Sequence, residues 1–346
     1  MNMNKAALVV VGALVAVSAA APAVDARERI RIVGSSTVFP FSTAVAEQFG
    51  RTTRFGTPVV ESTGTGGGMK LFCAGIGEQY PDMINASRRI KESEVKNCAQ
   101  NGVTDITEIK IGFDGIVVAS AKAAPLYEFS LRQIFLALAK EVPVNGEMAP
   151  NPHQTWKDVD ASLPDTKIEV LGPPPTSGTR DAFAELALEG GCVTFDEIKA
   201  LERTDGSRYK AICHTVREDG AYVEAGENDN LIVQKLEANL EALGIFGFSF
   251  LESNADKVRG STVDGVEPTL ESIASGDYPV SRSMYFYVKN AHVAAIPGIK
   301  EYLDEFTSEK AWGDYGYLTD KGLIPLPAAE RHKWREKAAG LAPLGL

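Results

Sequence analysis

Histidine is scarce in this 346-residue chain: there are four, at positions 153, 214, 292 and 332, each far from the next. Four cysteines are the only thiols, and no two form a Cys-x-x-Cys pair. Bound zinc needs three or four such side chains at close spacing, so no metal centre is expected. A nucleotide P-loop is also missing. After Gly66-Gly67-Gly68 the chain continues Met69-Lys70-Leu71, where that motif needs Gly-Lys-Ser/Thr. No Gly-x-Ser-x-Gly elbow occurs, and no histidine stands near Ser36 or Ser177, so nucleophilic hydrolysis lacks its usual parts. Positive charge is in deficit, with 35 Lys and Arg against 46 Asp and Glu, a net charge of −11. An acidic chain is a poor partner for nucleic acid. Beyond residue 26 no apolar run is long enough to span a bilayer. Internal repeats, low-complexity tracts and long flexible linkers are absent as well.

What is present describes a globular chain. Its length suits roughly two domains of ~150 residues. Hydrophobic content of 44% and charged content of 23% are ordinary for a soluble protein. Residues 1–26 differ from the rest. Lys5 gives a positive start, residues 6–21 are apolar and small, and Val24-Asp25-Ala26 offers a cleavage site. This predicts a secretory signal peptide cleaved near Ala26. The run is short for a ~20-residue anchor, and no cysteine near the cleavage point could take a lipid. Lys5 and Asp25 cancel, so the mature chain keeps the net charge of −11. An even number of cysteines in an exported chain suggests disulfides. Cys73, Cys98, Cys192 and Cys213 allow three connectivities; nearest-neighbour pairing, Cys73–Cys98 and Cys192–Cys213, closes two short loops.

Three strand-to-helix turns share one chemistry. The first strand-like run, Arg29-Ile30-Arg31-Ile32-Val33, leads through Gly34-Ser35-Ser36-Thr37-Val38 into a helix marked by Phe41, Ala44, Val45 and Phe49. The second, Pro58-Val59-Val60-Glu61-Ser62, leads through Thr63-Gly64-Thr65-Gly66-Gly67-Gly68 into a helix containing Cys73. The third, Lys167-Ile168-Glu169-Val170-Leu171, leads through three prolines and Thr176-Ser177-Gly178-Thr179-Arg180-Asp181 into residues 182–188. A helix start exposes unpaired N–H groups, and its dipole favours an anion. Hydroxyls add donors, and Arg180 adds a planar fork suited to oxyanions.

Strands and helices alternate through the remaining chain. Asp82-Met83-Ile84-Asn85-Ala86 reads as a buried strand before Ser87-Arg88-Arg89 and a polar helix carrying Cys98. Residues 106–119 form an extended run far longer than the usual ~5–6 residues, and residues 278–288 form another. Such runs could cross between domains. Residues 130–140, 195–203, 230–240, 299–306 and 309–317 are predicted helices, residues 142–153 a loop, and residues 212–216 and 244–250 strands. Alternation argues for α/β architecture with mainly parallel sheets, whose ligands sit beyond the strand C-termini.

Gly34-Ser35-Ser36-Thr37-Val38-Phe39-Pro40, Ser62-Thr63-Gly64-Thr65-Gly66-Gly67-Gly68, Asn85-Ala86-Ser87-Arg88-Arg89 and Ser177-Gly178-Thr179 occur together and in order. With Trp156, Gly244-Ile245-Phe246-Gly247-Phe248 and Tyr278-Pro279-Val280-Ser281-Arg282, the set resembles the phosphate-binding protein of ABC-type phosphate importers, the PstS family, over nearly all the mature chain. The resemblance implies an α/β, two-lobed type II periplasmic-binding-protein fold with two crossing hinge strands. Lobe I would hold residues 27–115 and 285–346, and lobe II residues 116–284. It implies that Ser36, Thr37, Val38, Thr65, Ser177, Gly178 and Thr179 hold phosphate between the lobes. Two positions depart from the family pattern. Arg88 stands where many members have an Asp that accepts the phosphate proton, and Pro173 where many have an Arg. Arg88 or Arg180 would then supply the positive charge, and Glu61, Asp114 or Asp181 the proton acceptor.

The expectation is a monomeric periplasmic protein, not an enzyme and without cofactor, that binds inorganic phosphate and delivers it to an inner-membrane ABC permease. Alternatives are the same device for sulfate, molybdate or arsenate, more remotely a phosphate-ester hydrolase using Ser36 or Ser177, and a surface adhesin on this scaffold. Ser36 and Thr37 also have the commoner role of helix caps open to them. His153, His214, Trp156 and Trp312 are expected to be loop or packing residues, and Arg89 a weaker candidate for the site.

Overall fold

The architecture comes from a computed structural model that describes residues 27–175, 177–226 and 229–345. The signal-peptide reading and Thr176 lie outside the described residues. One long sheet carries the fold. Its strand order is Val59–Ser62, Arg31–Gly34, Met83–Ala86, Ser281–Lys289, Ile106–Ala121, Leu243–Gly247, Val170–Gly172 and Tyr222–Glu224. The first three strands are parallel to one another, and so are the last three. The two central strands run antiparallel to each other and to the neighbours they face.

The 16-residue strand Ile106–Ala121 is the element that joins the two ends. Its first part pairs with Ser281–Lys289, as far as Gly115 opposite Ser281. Its last part, residues 116–119, pairs with Leu243–Gly247. Unbroken burial of Ile116, Val117, Val118 and Ala119 suits a strand covered on both faces. The buried apolar side chains cluster accordingly. One cluster draws on residues 113–280 with Ile324 and Leu326. The others draw on residues 30–111 and 284–338.

Helices enter where the sequence changes period. Phe39–Thr52 buries Phe41, Val45, Ala46 and Phe49 on one face. Phe49 meets Tyr302 edge-on at 5.7 Å, fixing this helix against Ile299–Phe306. Leu131–Leu138 starts at Ser130, whose hydroxyl accepts from the Gln133 amide. Disulfides join Cys73 to Cys98 and Cys192 to Cys213. Among the described residues no helix is long and apolar enough to cross a membrane, and no group of metal-ligating side chains is present.

Four expectations about local structure are corrected, the first being that the helix predicted at 309–317 stops at Trp312. Residues 212–216 are not a strand: Gly206–His214 is a helix, started by the Asp205 carboxylate accepting from the Arg208 amide. The strand predicted at 244–250 ends at Gly247, where the helix Phe248–Ser253 begins. The loop expected at 142–153 contains a hairpin, Glu141–Val144 against Glu147–Pro150. Its turn residues Asn145 and Gly146 both have positive φ, 53° and 87°, the conformation that two-residue hairpin turns require.

Candidate functional site

The strands Arg31–Gly34, Val59–Ser62 and Met83–Ala86 end at one edge of the sheet. The loops beyond them converge there. Gly34 has φ 129°, and a Cβ there would stand 2.1 Å from the Asn85 carbonyl oxygen. Glycine therefore lets this strand end lie directly on its neighbour, with the Ser35 amide donating to the same oxygen at 2.8 Å. The chain turns next. The Phe39 amide donates to Ser35 O at 3.0 Å, and the Ser42 amide to Val38 O. The helix thus effectively begins one turn early, with the amides of Ser36 and Thr37 at its mouth and the Val38 amide donating to Ser35 Oγ at 3.4 Å.

The second loop is seated by a similar close approach. Gly68 lies so near Gly34 that an added Cβ would be 2.6 Å from the Gly34 Cα. The helix Thr65–Phe72 begins after Gly64, whose φ of 68° suits glycine. The hydroxyls of Thr65 and Ser87 are 3.1 Å apart, and the Ser87 amide donates to Thr65 Oγ1. The second loop and the Asn85-Ala86-Ser87-Arg88-Arg89 element are thereby tied together.

At the other end of the sheet, Val170–Gly172 leads into the third loop. Ser177 is the N-cap of Gly178–Phe183, its Oγ accepting from the Thr179 amide at 3.2 Å. That helix continues as a π-helical turn, Ala184–Leu188, and then as Glu189–Cys192. The decisive contact links this loop to the first. A Cβ on Gly178 would stand 3.0 Å from the Ser36 carbonyl oxygen and 3.3 Å from the Thr37 Cα. Helix mouths from opposite ends of the sheet therefore meet at residues 36–37 and 178.

Positive charge around this junction is already partnered. Arg88 forms a two-point pair with Glu94, at 2.7 and 2.9 Å. The Glu94 hydrogen bond chiefly holds the Arg88 guanidinium above its usual range, and the charge of Glu185 adds to this. Arg180 donates to the Pro173 carbonyl at 3.2 Å and lies over the Tyr222 ring, 4.1 Å from its centroid. Arg89 is paired with Glu108. Of the suggested proton acceptors, Glu61 pairs with Arg31 on half-exposed surface, and Asp181 occupies the first turn of the third helix. Asp114 lies 3.5 Å from Arg282 Nε. Burial pushes the Asp114 carboxyl up from its ordinary value, the Arg282 charge opposes this, and Glu185 adds to it.

Sequence reasoning did not single out Arg282 as a site residue, although it noted the Tyr278-Pro279-Val280-Ser281-Arg282 run. Its side chain is only 10% exposed. Nη2 donates to Thr37 Oγ1 and Nη1 to the Glu185 carboxylate. It thus touches the first loop and the helix that follows the third.

Residues 16–310 match the model of the PBP superfamily domain. The chain belongs to that superfamily. It is 31% identical to protein SphX of Synechococcus elongatus over 302 residues, covering 85% of this chain and 77% of that protein. It is 28% identical to the phosphate-binding protein PstS of Staphylococcus saprophyticus over 313 residues, 88% and 82% of the two chains. Among solved structures it is similar to a possible phosphate binding protein from Planctomyces limnophilus. That match has a TM-score of 0.72 and 28% identity, covering 91% of this chain and 98% of the other. An ABC-type phosphate transport receptor from Vibrio cholerae, at 20% identity and a TM-score of 0.57, shares the fold. The sheet with two long central strands and helices on its faces is the architecture expected of the superfamily.

Proposed function

We propose that this member of the PBP superfamily is an exported solute-binding protein that captures inorganic phosphate and delivers it to an ABC importer in the inner membrane. It acts as a periplasmic monomer, by binding rather than by chemistry. Its lobes are residues 27–115 with 285–346, and residues 116–284, joined through the two crossing strands. Phosphate sits where the helix mouths face each other, on Ser36, Thr37, Val38, Thr65, Ser177, Gly178 and Thr179, with Arg180 behind the third loop. Arg88 is left out of this set, because Glu94 fills its fork.

One observation carries the reading: Gly178 rests against the Ser36–Thr37 backbone. Two helix starts carrying amides and hydroxyls are thereby brought side by side, an arrangement suited to an oxyanion without a metal. The relatives named as phosphate-binding proteins support the choice of anion. Magnitudes are compatible. Micromolar affinity corresponds to about 8 kcal/mol, and hydrogen bonds to a charged group contribute about 1.5–3 kcal/mol each. Several donors from two mouths exceed that figure before the cost of ordering is subtracted. One loop alone does not.

A second reading, the same device for another oxyanion, is favoured by Arg88 and Pro173 at the positions where an Asp and an Arg would be expected. Titration calorimetry at neutral pH separates the two. Phosphate should bind with micromolar or tighter affinity, and equimolar sulfate should leave that affinity unchanged. Tight binding of sulfate or molybdate with negligible heat from phosphate would replace the first reading by the second.

A further inference from the structure

Arg282 belongs to none of the three loops. It lies on a crossing strand, directly opposite Asp114 on the other. Three groups share its guanidinium: the Thr37 hydroxyl, the Glu185 carboxylate and, at 3.5 Å from Nε, the Asp114 carboxylate. That last pair is a loose one. Arg282 Nε and Asp114 Oδ2 are both buried, and neither has a hydrogen-bond partner among the described residues. Among the described residues, Arg282 is the cation at the junction bonded to a side chain of the first loop while also reaching the helix beyond the third.

The two carboxylates on Arg282 differ in their freedom to leave. The Asp114 side chain is 14% exposed and fixed on a strand, whereas Glu185 is 47% exposed on a long, flexible stem. Glu185 projects from the π-helical turn Ala184–Leu188, a local widening often found at functional sites. Its charge is also felt by Arg88 and by Asp114. Glu185 meets Nη1 through a single carboxylate oxygen, and a phosphate oxygen is a charged acceptor of the same kind for that N–H. A buried arginine cannot be left without a counter-charge at little cost. Asp114, at 3.5 Å, meets that need only loosely, and Glu185 supplies the second counter-charge on Nη1.

We propose that Arg282 is the cation that receives the bound oxyanion, and that Glu185 is a resident counter-anion which the ligand displaces from it. The inference rests on the oxyanion-binding reading above, with phosphate as its anion. Glu185 turns out to solvent as the ligand takes over the Nη1 face. Thr37 stays on Nη2, so the hydroxyl of the first loop keeps its orientation through the exchange. Asp114 remains behind the guanidinium and holds it on the crossing strand. Glu185 thus sets the affinity from inside the protein, because every anion must compete with it.

The test is calorimetric titration of phosphate into the wild type, Arg282→Gln, Arg282→Lys, Glu185→Gln and the double variant. Arg282→Gln should weaken phosphate about tenfold or more, and Arg282→Lys, which keeps charge but loses the fork, by less. Glu185→Gln should tighten it about two- to tenfold, the opposite sign. In the Arg282→Gln background the Glu185 substitution should have no further effect. Circular dichroism and thermal melts exclude unfolding, and Glu185→Gln, being on the surface, reads the proposal even if an Arg282 variant fails to fold. An Arg282→Gln variant that is folded and binds within twofold of wild type overturns the proposal. So does weaker binding in Glu185→Gln, which would make Glu185 a positioning residue. If the wild type binds sulfate or molybdate instead, the phosphate reading fails, and the same fold-changes, read with that anion, decide the role of Arg282. If no oxyanion binds, both readings fail.

Discussion

Replacing Gly178 by Ala separates folding from closure. The new Cβ would lie 3.0 Å from the Ser36 carbonyl oxygen, 3.3 Å from the Thr37 Cα and 3.4 Å from the Ser36 carbonyl carbon. Carbon atoms normally approach to ~3.5–4.0 Å. All three neighbours are backbone, so no rotamer change relieves the contact, and the junction must give way. Overpacking of this kind costs about 1–3 kcal/mol. Locally the substitution acts the other way, since Ala is up to about 1 kcal/mol better than Gly within a helix. The crowding exists only while residues 36–37 and 178 are together. Phosphate affinity should therefore fall about 5- to 150-fold, while the melting temperature without phosphate stays level or rises. Calorimetry and a thermal melt on the same preparation check both signs. Affinity within twofold of wild type would refute the reasoning, because the loops would then not need to touch in the bound form.

The disulfides Cys73–Cys98 and Cys192–Cys213 span 25 and 21 residues, so replacing either pair by serine should cost about 3 kcal/mol. A urea titration of each variant measures the loss, and an unchanged midpoint would show that the cross-link adds nothing in the native protein. A second expectation concerns Lys289, which is buried, donates to the Gly75 carbonyl and lies near the Phe72 and Tyr80 rings. Burial, aided by Arg27 and opposed by Asp82, lowers its ammonium from 10.5 to about 8. Between those values the folded chain holds fewer protons than the unfolded chain, so this group makes stability rise as pH climbs from about 8 towards 10.5. Lys289→Met should flatten that rise relative to wild type in urea midpoints taken across the interval; parallel curves would contradict it.

Legibility in the sequence followed the range of the interactions. The helix mouths at 36–38, 65 and 177–179 could be read locally, because Ser, Thr and Gly between a strand and a helix carry their own explanation. The hairpin at Glu141–Val144 and Glu147–Pro150 was equally local. Asn145-Gly146 announces its turn, but Pro143 and Pro150 favoured a loop reading. Residues 212–216 misled because Ile212 and Cys213 form too short an apolar run to show a period. The Asp205 cap seven residues earlier decides the helix. Arg282 could not be read locally at all. Its place opposite Asp114 depends on the register of two strands far apart in sequence, and that register shifts between Met284 and Tyr285.

The acidic character of the chain and its proposed cargo are reconciled at the crossing strands. A net charge of −11 repels an anion from a distance, but at physiological salt that repulsion is screened within about 8 Å. Within that range the proposed ligand would meet helix mouths and the Arg282 guanidinium. Arg282 and Asp114 lie on the two strands that both ends of the sheet share, and Gly178 reaches Ser36 across the same junction. A bound anion would therefore bond to both mouths only while the two are together. A ligand shifts an equilibrium only by its differential affinity for the two states, and here nearly every bond from the far mouth would count towards that difference. Binding and closure would thus be one event, and what an importer must undo to release the anion is the contact between residues 36–37 and 178.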